Sequence, residues 1–314
     1  MKLCVTLALV FLTAMASPVR AQTSSPTAAS GFKTGEPLGS VNEAGQFVPV
    51  TGNVKVYGSF RYAESCVYDP ERDLIIVMNA GVAEELEPND GYVSLLHPDG
   101  SVHTTKWIGA TRDGLTLNHP RGSALHGGRL YTADIDVVRT FDLATGQPGR
   151  SFPIDGATYL NGIAVTADGT VFVSNTRPPE CIYKITPAGE VSTFLAGKPL
   201  AMPNGLAIDR EGNLVAVNVS DNAVLTFDPA TAKLLRTEHA VEGGNDGLVI
   251  AEDGTKYVSS VRFGSVSKIP PGMPATLLAA GIPTPASMCY APRHKQLVIP
   301  MNNNNAVAII KLTE

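Results

Sequence analysis

Apolar and polar positions recur along this chain in a fixed order, shown most clearly by residues 160–175 (LNGIAVTADGTVFVSN) and 203–218 (PNGLAIDREGNLVAVN). Each segment opens on Asn-Gly, continues as an apolar run, turns at an acidic residue followed by Gly, and ends in a second apolar run. Two β-prone runs joined in this way are typical of a β-hairpin. Two shorter β-prone runs follow each hairpin, and no stretch has sustained helical periodicity. The repeating element is therefore predicted to contain four strands.

Six such units align when each is placed on its opening motif. The residue before the motif glycine, or its equivalent, is Glu64, Arg121, Asn161, Asn204, Asp246 or Ala286. A four-stranded unit of about 40 residues, repeated radially, is the pattern of a β-propeller blade. The sixth unit has only three β-prone runs, whereas the run FVPVTGNVKVYG ahead of the first unit belongs to none. We therefore predict an all-β, six-bladed propeller with four-stranded blades, in which this N-terminal strand pairs with the last blade and closes the ring.

The first residues have the pattern of a secretory signal peptide, with Lys2 ahead of an apolar run and small residues at Val19 and Ala21. A transmembrane anchor is the alternative, but the apolar run is too short to cross a bilayer. Residues 22–45 are rich in Ser, Thr, Ala, Gly and Pro, which predicts a flexible leader. The expected organisation is a signal peptide at 1–21, a leader at 22–45 and a propeller at 46–314. The mature protein is expected to be exported, to the periplasm or the extracellular medium, without a membrane span.

Charge and cysteine content narrow the possible partners and bonds. The chain has 24 basic and 29 acidic residues and a formal net charge of −5, which argues against a nucleic-acid partner. Three cysteines follow the signal peptide, so at most one disulfide within the chain can form. Cys66, Cys181 and Cys289 could all be buried thiols. The alternative is a Cys66–Cys289 disulfide, because both lie early in units that could adjoin in a ring.

The six aligned positions should face one another, because the first strand of each blade lines the channel of a propeller. Four of them have oxygen donors: Glu64, Asn161, Asn204 and Asp246. Two carboxylates and two carboxamides suit a hard divalent cation, which makes Ca²⁺ the expected cofactor and Mg²⁺, Mn²⁺ or Zn²⁺ the alternatives. Asn-Gly is also a common turn dipeptide, and isolated acids are usually solvated. The shared phase of all four residues favours the metal site.

Loops at the same mouth are candidates for substrate binding, since loops on a rigid scaffold commonly hold such groups. We expect contacts with substrate from Arg121, Asn175, Asn218 and Arg262. Solvation of ordinary turns is the alternative for each of them. His119, just ahead of the second unit, is a weaker candidate for moving protons at the channel mouth.

Three segments resemble the senescence marker protein/gluconolactonase family, also called regucalcin-like lactonases. They are ESCVYD from Glu64, PNGLAIDREGNLVAV from Pro203 and NDGLVIAEDGTKYV from Asn245. The resemblance implies a six-bladed propeller with a divalent metal on its axis. It further implies that Glu64, Asn204 and Asp246 are metal ligands, that Asn161 is a ligand or a substrate contact, and that Asp246 is the general base. The implied reaction is metal-assisted hydrolysis of a small lactone or ester.

Two departures from that family bear on specificity. Cys66 stands where the family usually has Pro, and Tyr159 stands where sugar-lactone enzymes often have Arg. The predicted metal ligands match those of the family, whereas the residues expected to recognise a sugar do not. The sequence therefore supports the metal site but does not support a sugar lactone as the substrate. The alternatives are a related propeller phosphotriesterase and an exported, non-catalytic binding module of the NHL type with a structural calcium.

Overall fold

The structure is a computed structural model that describes residues 38–58, 60–81, 89–109 and 115–312. The predicted signal peptide and residues 22–37 of the predicted leader lie outside these ranges. The described chain forms 26 strands and two single-turn 3-10 helices, Pro292–His294 and Asn302–Asn304. A helix that could span a bilayer does not occur in this part of the chain.

Six four-stranded antiparallel sheets form the blades of a propeller, and a small hairpin precedes them. The N-terminal strands are β1 (Gly39–Val41), β2 (Phe47–Pro49) and β3 (Val54–Gly58). Blade one has β4 (Ala63–Asp69), β5 (Leu74–Asn79), β6 (Tyr92–Leu96) and β7 (Val102–Gly109). Blade two has β8 (Pro120–His126), β9 (Arg129–Asp134), β10 (Val137–Asp142) and β11 (Pro148–Pro153). Blade three has β12 (Leu160–Val165), β13 (Val171–Asn175), β14 (Cys181–Ile185) and β15 (Val191–Ala196).

The remaining blades repeat this order. Blade four has β16 (Pro203–Ile208), β17 (Leu214–Asn218), β18 (Ala223–Phe227) and β19 (Leu234–His239). Blade five has β20 (Asn245–Ile250), β21 (Lys256–Ser260), β22 (Ser265–Ile269) and β23 (Thr276–Ala279). Blade six has β24 (Cys289–Ala291), β25 (Gln296–Met301) and β26 (Ala306–Lys311). The prediction of an all-β, six-bladed propeller is confirmed.

The N-terminal strand completes blade six, as predicted. Strand β3 pairs antiparallel with β26, with Gly58 opposite Ala306 and Val54 opposite Ile310. The hairpin β1–β2 leads into β3 and lies against blade five, where the Ser40 hydroxyl donates to the Phe263 carbonyl at 3.1 Å. The predicted boundary at residue 45 falls in the turn of this hairpin, so Gly39–Val41 of the predicted leader form a paired strand.

The core consists of six apolar clusters, each made by the facing sides of two neighbouring blades. Strand β13 shows how the sequence produces this arrangement. Val171 and Val173 pack against blade two, while Phe172 between them packs against blade four. Successive side chains of a strand point to opposite faces, so a strand packed between two blades needs consecutive apolar residues rather than alternating ones.

The motif glycines allow the innermost strands to approach one another. A Cβ on Gly162 would lie 2.2 Å from the backbone oxygen of Asn204, and one on Gly205 would lie 2.4 Å from that of Asp246. Neither glycine has a left-handed φ, and both lie inside strands. The interpretation of Asn-Gly as a turn dipeptide is therefore wrong, and the glycine serves close packing between blades.

A disulfide joins the two blades that close the ring. Cys66 of β4 and Cys289 of β24 are bonded, with 5.4 Å between their Cα atoms and a sequence separation of 223. Beside it the Ser287 amide donates to the Glu64 carbonyl at 3.1 Å. Cys181 is a buried free thiol. Of the two possibilities that the sequence left open, the disulfide is the one observed.

Candidate active site

The aligned motif residues lie together at the start of the innermost strands and form one mouth of the channel, here called the polar mouth. Its members are Glu64, Arg121, Asn161, Asn204, Asp246 and Ala286, all of them buried. In blade three the register shifts at this point, because Leu160 pairs with Asn175 while Ile163 pairs with Val173. Blades one, two, four and five have the same irregularity at the same place. A bulge of this kind re-aims a side chain, which explains why motif residues from separate blades converge.

Two carboxylates of the polar mouth are buried close enough to affect each other. Burial raises the pKa of Asp246 well above its ordinary value, and the charge of Glu64 raises it further. Burial also raises the pKa of Glu64, although the positive charge of Arg121 opposes that rise. Neutral donors reach both carboxylates: Asn302 Nδ2 lies 3.1 Å from Glu64 Oε2, and Ser287 Oγ lies 3.2 Å from Asp246 Oδ1. The pair is held in place while its negative charge is left incompletely compensated.

The two carboxamides of the polar mouth have acceptors without donors. The Oδ1 atoms of Asn161 and Asn204 are buried and have no hydrogen-bond partner. Leaving such an acceptor unsatisfied costs about 1–3 kcal/mol, so native structures rarely do so without a reason. Asn204 also forms a side-chain hydrogen bond with Asp246, which ties the amide to the acid. Two buried oxygens in need of a positive partner thus accompany two carboxylates that repel each other.

This donor set fits a hard divalent cation. Oxygen ligands from carboxylates and carboxamides are those that Ca²⁺ prefers, with water completing its shell. Among the described residues, no group of three or more His, Cys, Asp or Glu side chains is placed to hold a metal. Zinc sites usually draw three or four ligands from that set, so the residues present suit Ca²⁺ or Mg²⁺ better than Zn²⁺.

A second layer of the polar mouth lies two residues before the motif positions. It contains Tyr62, His119 and Tyr159, and the Tyr62 and His119 rings have their centroids 5.8 Å apart. Tyr159 is half-buried between the guanidinium groups of Arg121 and Arg177, whose Cζ atoms lie 3.5 Å and 4.0 Å from the ring centroid. Burial raises the pKa of both tyrosines. The three residues share one phase of the repeat, a signal from which their convergence could have been predicted.

His119 is held neutral. Burial and the positive charge of Arg121 lower its pKa to about 3, despite a hydrogen bond with the Ala80 backbone. Its Nε2 atom is buried without a partner. A histidine with this pKa exchanges protons poorly at neutral pH, which weakens its candidacy as a proton carrier.

The asparagine run 302–305 supports this mouth from blade six. Asn302 donates to Glu64, as described above, and Asn305 Oδ1 accepts the Tyr62 amide at 2.7 Å. That contact holds Tyr62 in a left-handed conformation with φ of 50°, which is uncommon for a residue other than glycine. Residues Asn302–Asn304 form a 3-10 helix, which positions these side chains.

Two of the predicted substrate contacts support loops instead. Asn175 Oδ1 accepts the amides of Thr158 and Tyr159 at 3.0 Å and 2.8 Å. Asn218 Oδ1 accepts the Ala201 amide at 3.1 Å, and its Nδ2 donates to a backbone carbonyl. Both side chains are fully buried. The hydrogen-bonding groups of Asn175 and Asn218 are thus engaged by the protein backbone, which argues against the predicted contacts with substrate.

The other two predicted contacts differ in accessibility. Arg262 is exposed in the turn between β21 and β22, with its aliphatic stem packed over Gly244. Arg121 is buried at the polar mouth, and its Nε atom has no hydrogen-bond partner. Both remain available to a ligand, Arg121 the closer of the two to the carboxylates.

The opposite end of the same strands forms an apolar mouth. A cavity of about 470 Å³ opens there, lined by side chains such as Val67, Leu125, Val165, Ile208 and Val249. Between the two mouths lies a small space of about 40 Å³, lined by the motif glycines and by Ser, Ile, Leu and Met residues, Ser287 among them.

Solved structures with the same fold include enzymes of two kinds. A gluconolactonase from Xanthomonas campestris superposes with a TM-score of 0.61 at 17% identity, covering 91% of this chain and 97% of that one. A second structure described as a gluconolactonase gives 0.60 at 18%, covering 83% and 93%. Virginiamycin B lyase from Staphylococcus aureus gives 0.61 at 9%, covering 83% and 99%. At these identities the likeness shows the fold.

Sequence comparison adds little about family. No family model matches the chain. Actin-interacting protein 1 of Caenorhabditis elegans is 25% identical over 228 residues, which are 69% of this chain and 36% of that protein. The chain thus spans about a third of the length of the curated relative that it matches. Its structural neighbours are propellers of the gluconolactonase family and virginiamycin B lyase.

Proposed function

We propose that this protein is a metal-dependent hydrolase that opens a lactone or related ester at the polar mouth. One observation carries the proposal: two buried carboxylates and two buried carboxamide oxygens without donors meet on four innermost strands. Glu64, Asn161, Asn204 and Asp246 would hold the cation, with Ca²⁺ preferred. The gluconolactonases among the structural neighbours support this reaction class.

A bound divalent cation would supply Lewis-acid polarisation of the ester carbonyl. The chain supplies the proton acceptor. Ser287 donates to the Oδ1 atom of Asp246. A cation shared with three other ligands would withdraw less charge from this carboxylate than one that Asp246 bound alone. We assign the second oxygen of Asp246 the role of accepting the proton from the attacking water. Asn302 fixes the orientation of Glu64, which keeps that carboxylate directed at the same centre.

The test is hydrolysis of a panel of γ- and δ-lactones in calcium, in a chelator, and in a chelator followed by excess calcium. We expect turnover that chelation abolishes and calcium restores, and we expect Asp246→Asn to lose it under all three conditions. Full turnover in the chelator, or in Asp246→Asn, would contradict the proposal. Product masses distinguish hydrolysis, which adds one water, from a lyase reaction, which adds none.

We also propose that the protein is exported, as the N-terminal sequence predicts. The Cys66–Cys289 disulfide supports this, because disulfides persist mainly in oxidising compartments. Fractionation of cells that express the full chain, followed by thiol labelling, would check both points. Recovery of the reduced protein in the cytosol would count against export.

A second candidate function is a non-catalytic binding module in which the cation only braces the ring. The sequence match to Actin-interacting protein 1, a protein named for an interaction, favours this candidate. It predicts that calcium raises the melting temperature while no lactone in the panel is turned over. A ligand that binds only the folded state must raise that temperature, so the melting experiment measures cation binding in either case.

A further inference from the structure

Two cations of the polar mouth have no role in the mechanism above. We propose that the guanidinium groups of Arg121 and Arg177 together bind an oxyanion, a carboxylate or phosphate, carried by the substrate. If the protein is the hydrolase proposed above, its substrate is then an anionic lactone or ester. Only the identification of the substrate as an ester rests on that proposed function. The binding part can be tested without any turnover.

The first argument is the stacking geometry. Both Cζ atoms lie within 4.0 Å of the Tyr159 ring centroid. One face of a tyrosine ring has no room for two guanidinium groups at that distance, so Arg121 and Arg177 occupy opposite faces. Stacking engages the flat faces of the guanidinium groups and leaves their N–H edges free to donate in the plane. An oxyanion at the edge of this sandwich would accept from Arg121 through one of its oxygens and from Arg177 through another.

The second argument is that neither arginine has a carboxylate partner. No ion pair within 4.0 Å joins Arg121 or Arg177 to an acid in the described part of the chain. Arg121 is 2% exposed, and its Nε atom is buried without an acceptor. Buried arginines are normally paired, so an unpaired one indicates a partner that comes from outside the chain.

The third argument is the position of the pair relative to the reacting centre. Arg121 influences both Glu64 and Asp246 electrostatically, yet its guanidinium is turned onto Tyr159 rather than paired with either acid. Arg177 is exposed on the outer face of the same ring. An anionic group held between the two arginines would therefore lie beside the carboxylates, with the rest of the ligand reaching Asp246.

The fourth argument is the charge balance of this mouth. Glu64 and Asp246 contribute two negative charges, and Arg121 and Arg177 contribute two positive ones, while His119 is neutral. With a divalent cation bound, the mouth becomes net positive on a protein whose overall charge is −5. A local positive site on an acidic protein selects an anion and directs its approach.

The experiment measures binding of matched probes by calorimetry. The probes are tetrahydrofuran-2-carboxylate, its neutral carboxamide and inorganic phosphate, none of which has a lactone to open. We expect an anion to bind at least about tenfold more tightly than the carboxamide, the effect of one charge-assisted pair. Whether carboxylate or phosphate binds better identifies the oxyanion. Equal binding of all three, or no binding of any, would overturn the proposal.

Three variants locate the effect. Arg177→Gln changes an exposed residue and should fold, and we expect it to lose most of the preference for the anion. Arg121→Lys retains the charge without the planar donors and should lose part of the preference. Arg210→Gln, an exposed arginine at the other end of the propeller, is the control and should retain all of it. A preference that persists in both Arg177→Gln and Arg121→Lys would place the anion elsewhere and overturn the proposal.

Failure of this proposal and failure of the proposed function can be told apart. The test uses two lactones of nearly the same shape that differ by one charge. The neutral one is 5-oxotetrahydrofuran-2-carboxamide, and the anionic one is 5-oxotetrahydrofuran-2-carboxylate. Hydrolysis of both at equal kcat/KM would refute anion selection while supporting the hydrolase. Anion binding without hydrolysis of either would support the arginine site while contradicting the hydrolase.

Discussion

The two ends of the channel are built from the same innermost strands and have opposite character. At the polar mouth these strands begin with Glu64, Asn161 and Asp246, buried groups whose charges or acceptors are incompletely matched. At the apolar mouth they end in residues such as Val165 and Ile208, around a cavity of about 470 Å³. A single strand of about six residues therefore begins with buried polar groups that lower stability and ends with apolar residues that pack in the ordinary way.

That difference indicates where the molecule is stabilised and where it acts. On the innermost strands, the residues that follow the motif glycines toward the apolar mouth pack against neighbouring blades, and the disulfide lies among them. The residues that precede the motif glycines, at the polar mouth, have buried polar atoms without hydrogen-bond partners, and each such atom lowers the stability of the fold. Such local conflicts with the rules of a stable core mark functional sites more often than accidents of folding. Perturbing the two ends should accordingly change different properties.

The largest effect is expected from cutting the disulfide at the apolar end. Replacing both Cys66 and Cys289 with Ala should lower stability by about 3–5 kcal/mol, since the bond closes a very long loop in the unfolded chain. The melting temperature should fall by about 10 °C. A reductant should have the same effect on the wild type and none on the double variant. Cys181→Ala, which removes the buried free thiol, should remain sensitive to the reductant.

Next in size is the loss of a carboxylate at the polar end. Glu64→Gln should reduce kcat/KM for the best lactone by roughly 10²–10³, the range for removing one preorganised electrostatic group. Stability in a chelator should not fall, because the change relieves repulsion with Asp246. Glu252→Gln removes an exposed acid beside the apolar mouth and is the matched control. Equal losses in both variants would refute the division between the two ends.

A smaller effect is expected where the two ends meet. Gly205→Ala places a Cβ 2.4 Å from the Asp246 carbonyl oxygen, so the blades must move apart. Overpacking of this kind costs about 1–3 kcal/mol and should also displace Asp246, which lowers activity more than the stability loss explains. Gly58→Ala, in an outer strand with open space around it, should change neither property. Urea melts and kcat measured on the same samples would separate the two contributions.

The smallest predicted effect is a pH dependence of the metal-free protein. Burial raises the pKa of Asp246 in the folded state above its ordinary value of 3.8. The folded state then binds more protons than the unfolded state, so this contribution is complete below pH 3.8 and is lost as pH rises through the higher folded value. For the protein in a chelator, the loss of this contribution should lower the melting temperature by a few degrees as the pH rises. Comparison with Asp246→Asn isolates the effect from the surface acids, and parallel curves for the two proteins would contradict it.

The fold could be predicted because its signals are local and repeated. The Asp168-Gly169 and Glu211-Gly212 turns fix hairpins, and their spacing of about 40 residues fixes a blade. The shortage of one strand in the last unit was enough to predict that β3 closes the ring. The disulfide stayed one of two possibilities, because a sequence does not show how close two thiols lie.

The site could be predicted only where the repeat itself carried the information. Glu64, Asn161, Asn204 and Asp246 were predicted to face one another because they share one phase of the repeat, and the structure buries all four at one mouth. Asn175 and Asn218 share another phase, but nothing in the sequence indicates that their amides face the backbone of the preceding loop.

The arginine sandwich was beyond the sequence for a different reason. Arg121, Tyr159 and Arg177 come from the start of β8, the loop before β12 and the turn after β13. Contacts between loops of different blades depend on side-chain conformation, which no periodicity records.

The pairing of β3 with β26 also has a consequence for how the protein is made. A ribosome produces β3 more than two hundred residues before its partner, so blade six has no complete sheet until synthesis has passed β26. Contacts so distant in sequence make folding slow and leave strand edges exposed in the meantime. The nascent chain must therefore be kept from aggregating until its last blade can assemble, and an early stop within β26 would leave an open ring.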